Sequence, residues 1–190
     1  TEDGARDVDV RIVSPDGLGE IAINGVVEAD TPNFALTASR IQLGAVRGLL
    51  QEVLGADVVG DSMTDVDGVL SMDVAVTSTP GERPVASGWL EARDLAARGW
   101  VDGVKLRLDA TMGSDQAVVE VSMEGHEQLL MWSKASVGLA EVAGTMRPRC
   151  DAPIRWRSIV PGARLRDLRR SLPVIDPSVN GRVSLDMAVD

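Results

Sequence analysis

The chain holds one histidine, His126, in the stretch MEGHEQ beside Glu127. An imidazole there could carry a proton or ligate a metal. Zinc needs several such donors, and the only cysteine is Cys150, so the stretch reads as an exposed hairpin turn and the expected metal set is none. Cys150 itself fits either a small buried hydrophobe or a free thiol. Asp61, Asp65 and Asp67 crowd together ahead of Gly68. A calcium loop needs a longer ordered series of ligands closing on a Glu, and that order is missing, so a solvated linker is the better reading. Serine is plentiful, yet there is no G-x-S-x-G elbow, and one turn histidine cannot support a triad. Neither a phosphate loop nor a G-x-G-x-x-G fingerprint occurs. The expectation is a protein that is not an enzyme and carries no cofactor.

With chemistry so sparse, composition and pattern carry the reading. The chain has 190 residues, 44% of them hydrophobic, which suffices for a real core. Its net charge of -10 disfavours duplex nucleic acid as a partner. The charge is uneven: Arg147 to Arg170 contains eight Arg against Asp151 and Asp167, a local +6, which leaves -16 elsewhere. Such a stretch can meet an anionic partner, although a solvated face is its commoner meaning. Trp89, Trp100, Trp132 and Trp156, with Phe34, are all the aromatics, too few for base stacking on a single strand. They either cover strand ends or line the mouth of a greasy groove, and the sequence leaves both open. No stretch approaches the about 20 apolar residues of a membrane span. The opening TEDGARDVDV lacks the pattern of a signal peptide, and the close GRVSLDMAVD stops within a strand-like pattern, so the chain is expected to be a piece of something longer.

Period-two alternation dominates. Val104, Leu106, Leu108, Ala110 and Met112 alternate with Lys105, Arg107, Asp109 and Thr111, the mark of a strand with one face in grease and one in water. Similar runs are Val8–Ile12, Ile21–Val27, Leu70–Val76, Trp89–Ala92, Val118–Met123, Leu129–Val137 and Ile154–Ile159. Turn signals separate them at Ser14-Pro15-Asp16-Gly17, Thr79-Pro80-Gly81, Asp102-Gly103, Met112-Gly113-Ser114-Asp115 and Glu124-Gly125. Two segments shift to helical spacing: Leu43, Val46, Leu50 and Leu54, ended by Gly55, and Leu165, Leu168 and Leu172, closed by Pro173. Each is too short to stand alone and must lie on the sheet.

The helices open an internal repeat. Gly44-Ala45 aligns with Gly162-Ala163, and after a linker GVLSMDVAV (Gly68–Val76) aligns with GRVSLDMAV (Gly181–Val189), offsets of 118 and 113 that a five-residue loop difference reconciles. Repeat unit one is placed at about 41–158 and the start of unit two at about 159–190. Such units build elongated objects. The expected fold is all-β: a long, curled antiparallel sheet with two short amphipathic helices. The sheet can hide its apolar side in a closed core or present it as a groove. The groove side is assigned to Leu70, Met72, Val74, Val76, Leu90, Val104, Leu106, Leu108, Met112, Val183, Leu185 and Met187, aliphatic residues and adaptable methionines suited to tails of varied shape.

The order of elements resembles the C-terminal region of the TamB family, AsmA-like proteins of the Gram-negative envelope. The echoes are the helix from Gly44 to Leu54, then GVLSMDVAV, a Pro turn, VASGWLEARDL (Val85–Leu95) and DGVKLRLDATM (Asp102–Met112), with PVIDPSVNGRVSLDMAV (Pro173–Val189) restarting the phrase. The resemblance implies a curled β-taco with an apolar concave interior, a periplasmic body and an inner-membrane anchor in the full-length protein. It also implies one of two roles: conducting phospholipid acyl chains towards the outer membrane, or acting as a scaffold for outer-membrane β-barrel assembly with a TamA-type partner. In the second role an exposed strand edge engages client strands by backbone hydrogen bonds. The resemblance implies no catalytic residue.

Overall fold

In the computed structural model the described residues are 6–14, 19–27, 31, 33–45, 66–79, 82–97, 100–126, 128–142, 145–149 and 154–189. The alternating runs form strands, as their half-apolar composition requires. In chain order they are β1 (Arg6–Val13), β2 (Glu20–Val27), β3 (Asn33–Gln42), β4 (Val66–Thr77), β5 (Val85–Ala97), β6 (Val101–Met112), β7 (Gln116–Gly125), β8 (Gln128–Val142), β9 (Thr145–Pro148), β10 (Arg155–Arg164) and β11 (Arg182–Val189). All belong to one antiparallel, 11-stranded sheet in which each strand lies beside its chain neighbour. The one departure is β9, which shares an edge of β8 with β10: Leu139–Val142 pair with β9 and Trp132–Ser136 with β10.

Two strands carry no alternating run in the reading above. In β3, Phe34, Leu36 and Ala38 alternate, and a bulge at Ser39–Arg40 then resets the phase so that Ile41 faces Leu70. β9 is only four residues long. The turn expected at Asp102-Gly103 lies earlier. β5 ends at Ala97 and β6 starts at Val101, and the amide of Trp100 closes the connection by donating to the Ala97 carbonyl at 2.9 Å. The turn at Met112–Asp115 stands as expected, with the Gly113 amide bonded to the Gln116 carbonyl at 2.8 Å.

The sheet is neither closed nor strongly curled, which corrects the expectation of a curled taco. β1 and β11 each pair on one side only. Strands bend at bulges, and a curled sheet needs such kinks spread along it. Here every register shift falls at one end: near Arg40, Gly68, Asp94, Leu130 and Pro161-Gly162. Pro161 has no amide to give a ladder, so a shift there is natural. Arg40 (φ 56°) and Asp94 (φ 52°) adopt left-handed backbone at two of these bulges. Elsewhere the β6–β7 ladder runs from Val104 opposite Gly125 to Met112 opposite Ala117 without a slip.

Among the described residues, helix is confined to residues 43–45 and Leu165–Leu168. Val46, Leu50 and Leu54 lie outside the described residues. The second helix ends at Leu168, short of Leu172, which follows in a turn with its amide bonded to the Leu168 carbonyl at 2.8 Å. Its Leu168 is buried with Val104 and Leu130, ringed by Val101, Met123, Ala163, Leu165 and Ile175. As expected, this short helix lies on the sheet.

The ladders align the two helix-led segments differently from the sequence. Gln42 pairs with Val69 and Ile41 with Leu70; Arg164 pairs with Arg182 and Ala163 with Val183. Leu43 therefore corresponds to Leu165, about one helical turn away from the sequence alignment. A third copy, missed by sequence reading, is GEIAINGVV (Gly19–Val27): Val13 pairs with Glu20 and Ile12 with Ile21 in the same register. The leading glycines Gly19, Gly68 and Gly181 share φ values of 149°, 140° and 146°, where L-residues are strained.

Candidate functional site

Register across the ladders puts every groove residue named from sequence on one face. Met72 lies opposite Leu90, Leu90 opposite Leu108, and Leu108 opposite Val121. Phe34, Leu36, Ala38 and Ile41 join them through β3, and Ile21 and Ile23 through β2. Further along, Ala117, Val119, Ala135 and Val137 extend the face. On β11, Val183, Leu185 and Met187 continue it, and all three are exposed. Bulges hide this continuity in sequence because each flips the phase of the alternation behind it.

Within the face, a hollow of about 350 Å³ spans β4 to β7. Its floor is low where Gly88 lies opposite Ala110, and Met72, Val74, Leu90, Leu108 and Met112 rise around it. A second hollow of about 290 Å³ shares Ala117 and Val119 with the first and runs on to Val137, Pro148 and Ile154. The two lie end to end across the strands. Leu70, Val76 and Leu106 are on the same face outside these hollows. Val104 is not open at all: it is 1% exposed beneath Leu168.

The opposite face is a charged ladder. Glu91, only 4% exposed, accepts a hydrogen bond from Arg93 Nε, with Lys105 Nζ at 3.4 Å and Arg107 Nη1 at 3.6 Å. Arg107 also holds Asp109 bidentately at 2.9 and 2.8 Å and lies 5.2 Å from the centroid of the Trp89 ring. Trp132 Nε1 donates to Glu120 at 2.6 Å, and Arg157 holds Asp186 at 3.1 and 2.9 Å. Burial opposes ionisation of Glu91, but the hydrogen bond and charge of Arg93, joined by Lys105, outweigh it and hold the carboxyl below its ordinary range. A lowered carboxyl pKa adds stability that is full above the unfolded value and lost as pH falls through the folded one. Urea unfolding of the parent and Glu91→Gln should therefore differ near neutral pH, and the gap should close only as pH falls below the ordinary Glu range, through the lowered folded value. A gap that stays constant with pH would show that the Glu91 charge contributes nothing.

The tryptophans divide between the possibilities left open. Trp89 and Trp132 belong to the charged face. Trp100 is 67% exposed at the β5–β6 connection, and Trp156 alone lies on the apolar side, donating to Ser133 Oγ at 2.8 Å. His126 is an exposed turn residue with left-handed backbone (φ 49°). Asp67 Oδ1 accepts the Gly68 amide at 2.7 Å; Asp61, Asp65 and Cys150 lie outside the described residues. In the basic stretch, Arg157 is spent on Asp186, Arg166 lies 3.3 Å from Asp167, and Arg169 donates to the Val179 carbonyl.

Fold and site together define a single-layer antiparallel sheet, charged on one side and aliphatic on the other. No known family, curated protein or solved structure matches the chain.

Proposed function

We propose that the apolar face binds the acyl chains of phospholipid, as a segment of a periplasmic, TamB-like protein that conducts lipid between the inner and outer membranes and whose full-length form is anchored in the inner membrane. The observation that carries this reading is an open apolar face, continuous from β2 to β11, with two adjoining hollows across β4–β8. A sealed core would have argued for scaffolding. Aliphatic walls suit the task because burial is non-directional: each methylene contributes roughly 0.8 kcal/mol wherever along the face it lies. On this reading the protein performs no reaction.

A second reading has its own support. Among the described residues β11 exposes Val183, Leu185, Met187 and Val189 and has one backbone edge without a partner strand. That edge suits an added antiparallel strand, as a scaffold for β-barrel assembly with a TamA-type partner would need. One experiment separates the two. Purified protein is extracted with organic solvent for mass spectrometry and titrated with a fluorescent fatty acid. Bound phospholipid and saturable uptake are expected. Protein that is reproducibly lipid-free and takes up no probe would leave only the scaffold reading.

A further inference from the structure

The sheet does not need the segment between β10 and β11 in order to pair those strands. β1 and β2 reach the same register across residues 14–18 alone, through the same glycine geometry, whereas β10 and β11 are joined by the longer stretch 165–180. The additional residues fold back over the bulged end of the apolar face. There Leu165, Leu168 and Ile175 lie against Val104, Leu130 and Met123, in line with the strands that form the hollow. The cap is tied down by the Asp102 amide donating to the Ser171 carbonyl at 3.0 Å and the Leu165 amide donating to the Gly181 carbonyl at 3.0 Å. Among the described residues Ser171 Oγ and Arg169 Nε are buried without a hydrogen-bond partner, and an unmade bond of this kind weakens the contact that buries it.

We propose that residues 165–180 are a competitor in cis: their aliphatic side chains occupy a further stretch of the acyl-binding face, at Val104, Leu130 and Met123, which takes a ligand's hydrocarbon chain when the cap lifts. The chemistry of the ligand is read from its stand-in, since a surface filled by two leucines and an isoleucine accepts an aliphatic chain. The inference rests on the reading that the open face binds acyl chains.

Gly125 offers a way to lift the cap without touching it. A Cβ on Gly125 would run into Ser171 Oγ, with Ser171 Cβ at 2.7 Å and the flexible end of Leu130, Cδ1, at 2.9 Å, so Gly125→Ala should unseat the cap, and adding Ser171→Gly should relieve the Ser171 clash and reseat it. Ser171→Ala removes an unpaired hydroxyl and should seat the cap more firmly. A graft that replaces residues 165–180 with the sequence of residues 14–18 removes it. Hydrogen exchange at residues 165–175 reports the position of the cap, and titration with a long-chain fluorescent fatty acid reports binding. Because a competitor in cis lowers apparent affinity by the fraction of time it is seated, Gly125→Ala and the graft should raise affinity about tenfold, the double variant should return to the parent value, and Ser171→Ala should lower it. Faster exchange in the cap with unchanged affinity would overturn the competitor while leaving the open face as the binding site. So would unchanged exchange in Gly125→Ala, or a graft that cannot form the sheet. If neither the parent nor any uncapped variant binds the probe, the acyl-binding reading itself falls.

Discussion

Leu108→Asp is expected to abolish acyl-chain uptake while leaving the sheet folded. Leu108 stands mid-strand in β6 between Leu90 and Val121 and lines the larger hollow. The hollow is open to solvent, so in the free protein the carboxylate stays hydrated and stability falls only by the lost apolar contact, about 1–2 kcal/mol. A bound acyl chain would strip that water, and an unpaired charge under hydrocarbon costs several kcal/mol. At 1.4 kcal/mol per tenfold, affinity should drop by about 100-fold or more. Aspartate is a sharper test than arginine, whose long stem lets its charge reach water. Lys105→Gln, on the charged face of the same strand and away from the hollow, should bind like the parent. If Leu108→Asp takes up the fluorescent fatty acid as well as the parent does, this hollow is not where acyl chains lie.

Val104→Asp should act on folding instead. Val104 belongs to the same alternating run and the same face, yet it is 1% exposed beneath Leu168 and Leu130. A carboxylate there has neither water nor a cation. The expected loss is about 4 kcal/mol or more, a fall in melting temperature of about 10 °C or more for a chain of this size. Val183→Asp is the informative contrast. Val183 occupies the matching side of β11 and is 38% exposed, so its variant should stay within about 1 kcal/mol of the parent. Equal destabilisation of the two, measured by thermal unfolding, would show that the helical segment does not cover Val104 in solution.

That contrast marks where residue pattern stops being informative. Valine at 104 and valine at 183 look alike in sequence, each near the start of an alternating strand and followed by a polar residue. Only the return of residues 165–175 over β6 makes one a core residue and leaves the other in water. Glu91 follows the same logic: it reads as an ordinary outward acid, and its burial depends on Arg93, Lys105 and Arg107 converging from two strands.

The chain's own residues determined most of the strands, their half-apolar character and the composition of the apolar side, because period-two alternation is a local property that each strand displays by itself. The glycine-led phrase was legible for the same reason in two of the three strands that carry it. In the third, Asn24 and Gly25 stand where the others carry Asp73 and Val74 or Asp186 and Met187, and only the shared register and the φ of Gly19 reveal it. Tertiary structure alone decided what joins the strands into one surface. Bulges at Arg40, Asp94 and Pro161-Gly162 reset the phase of neighbouring strands, so the continuity of the face is a property of pairing. The absence of strong curl was equally illegible. Curvature comes from where bulges fall relative to one another across neighbouring strands, and a sequence read one strand at a time does not show that they all gather at one end.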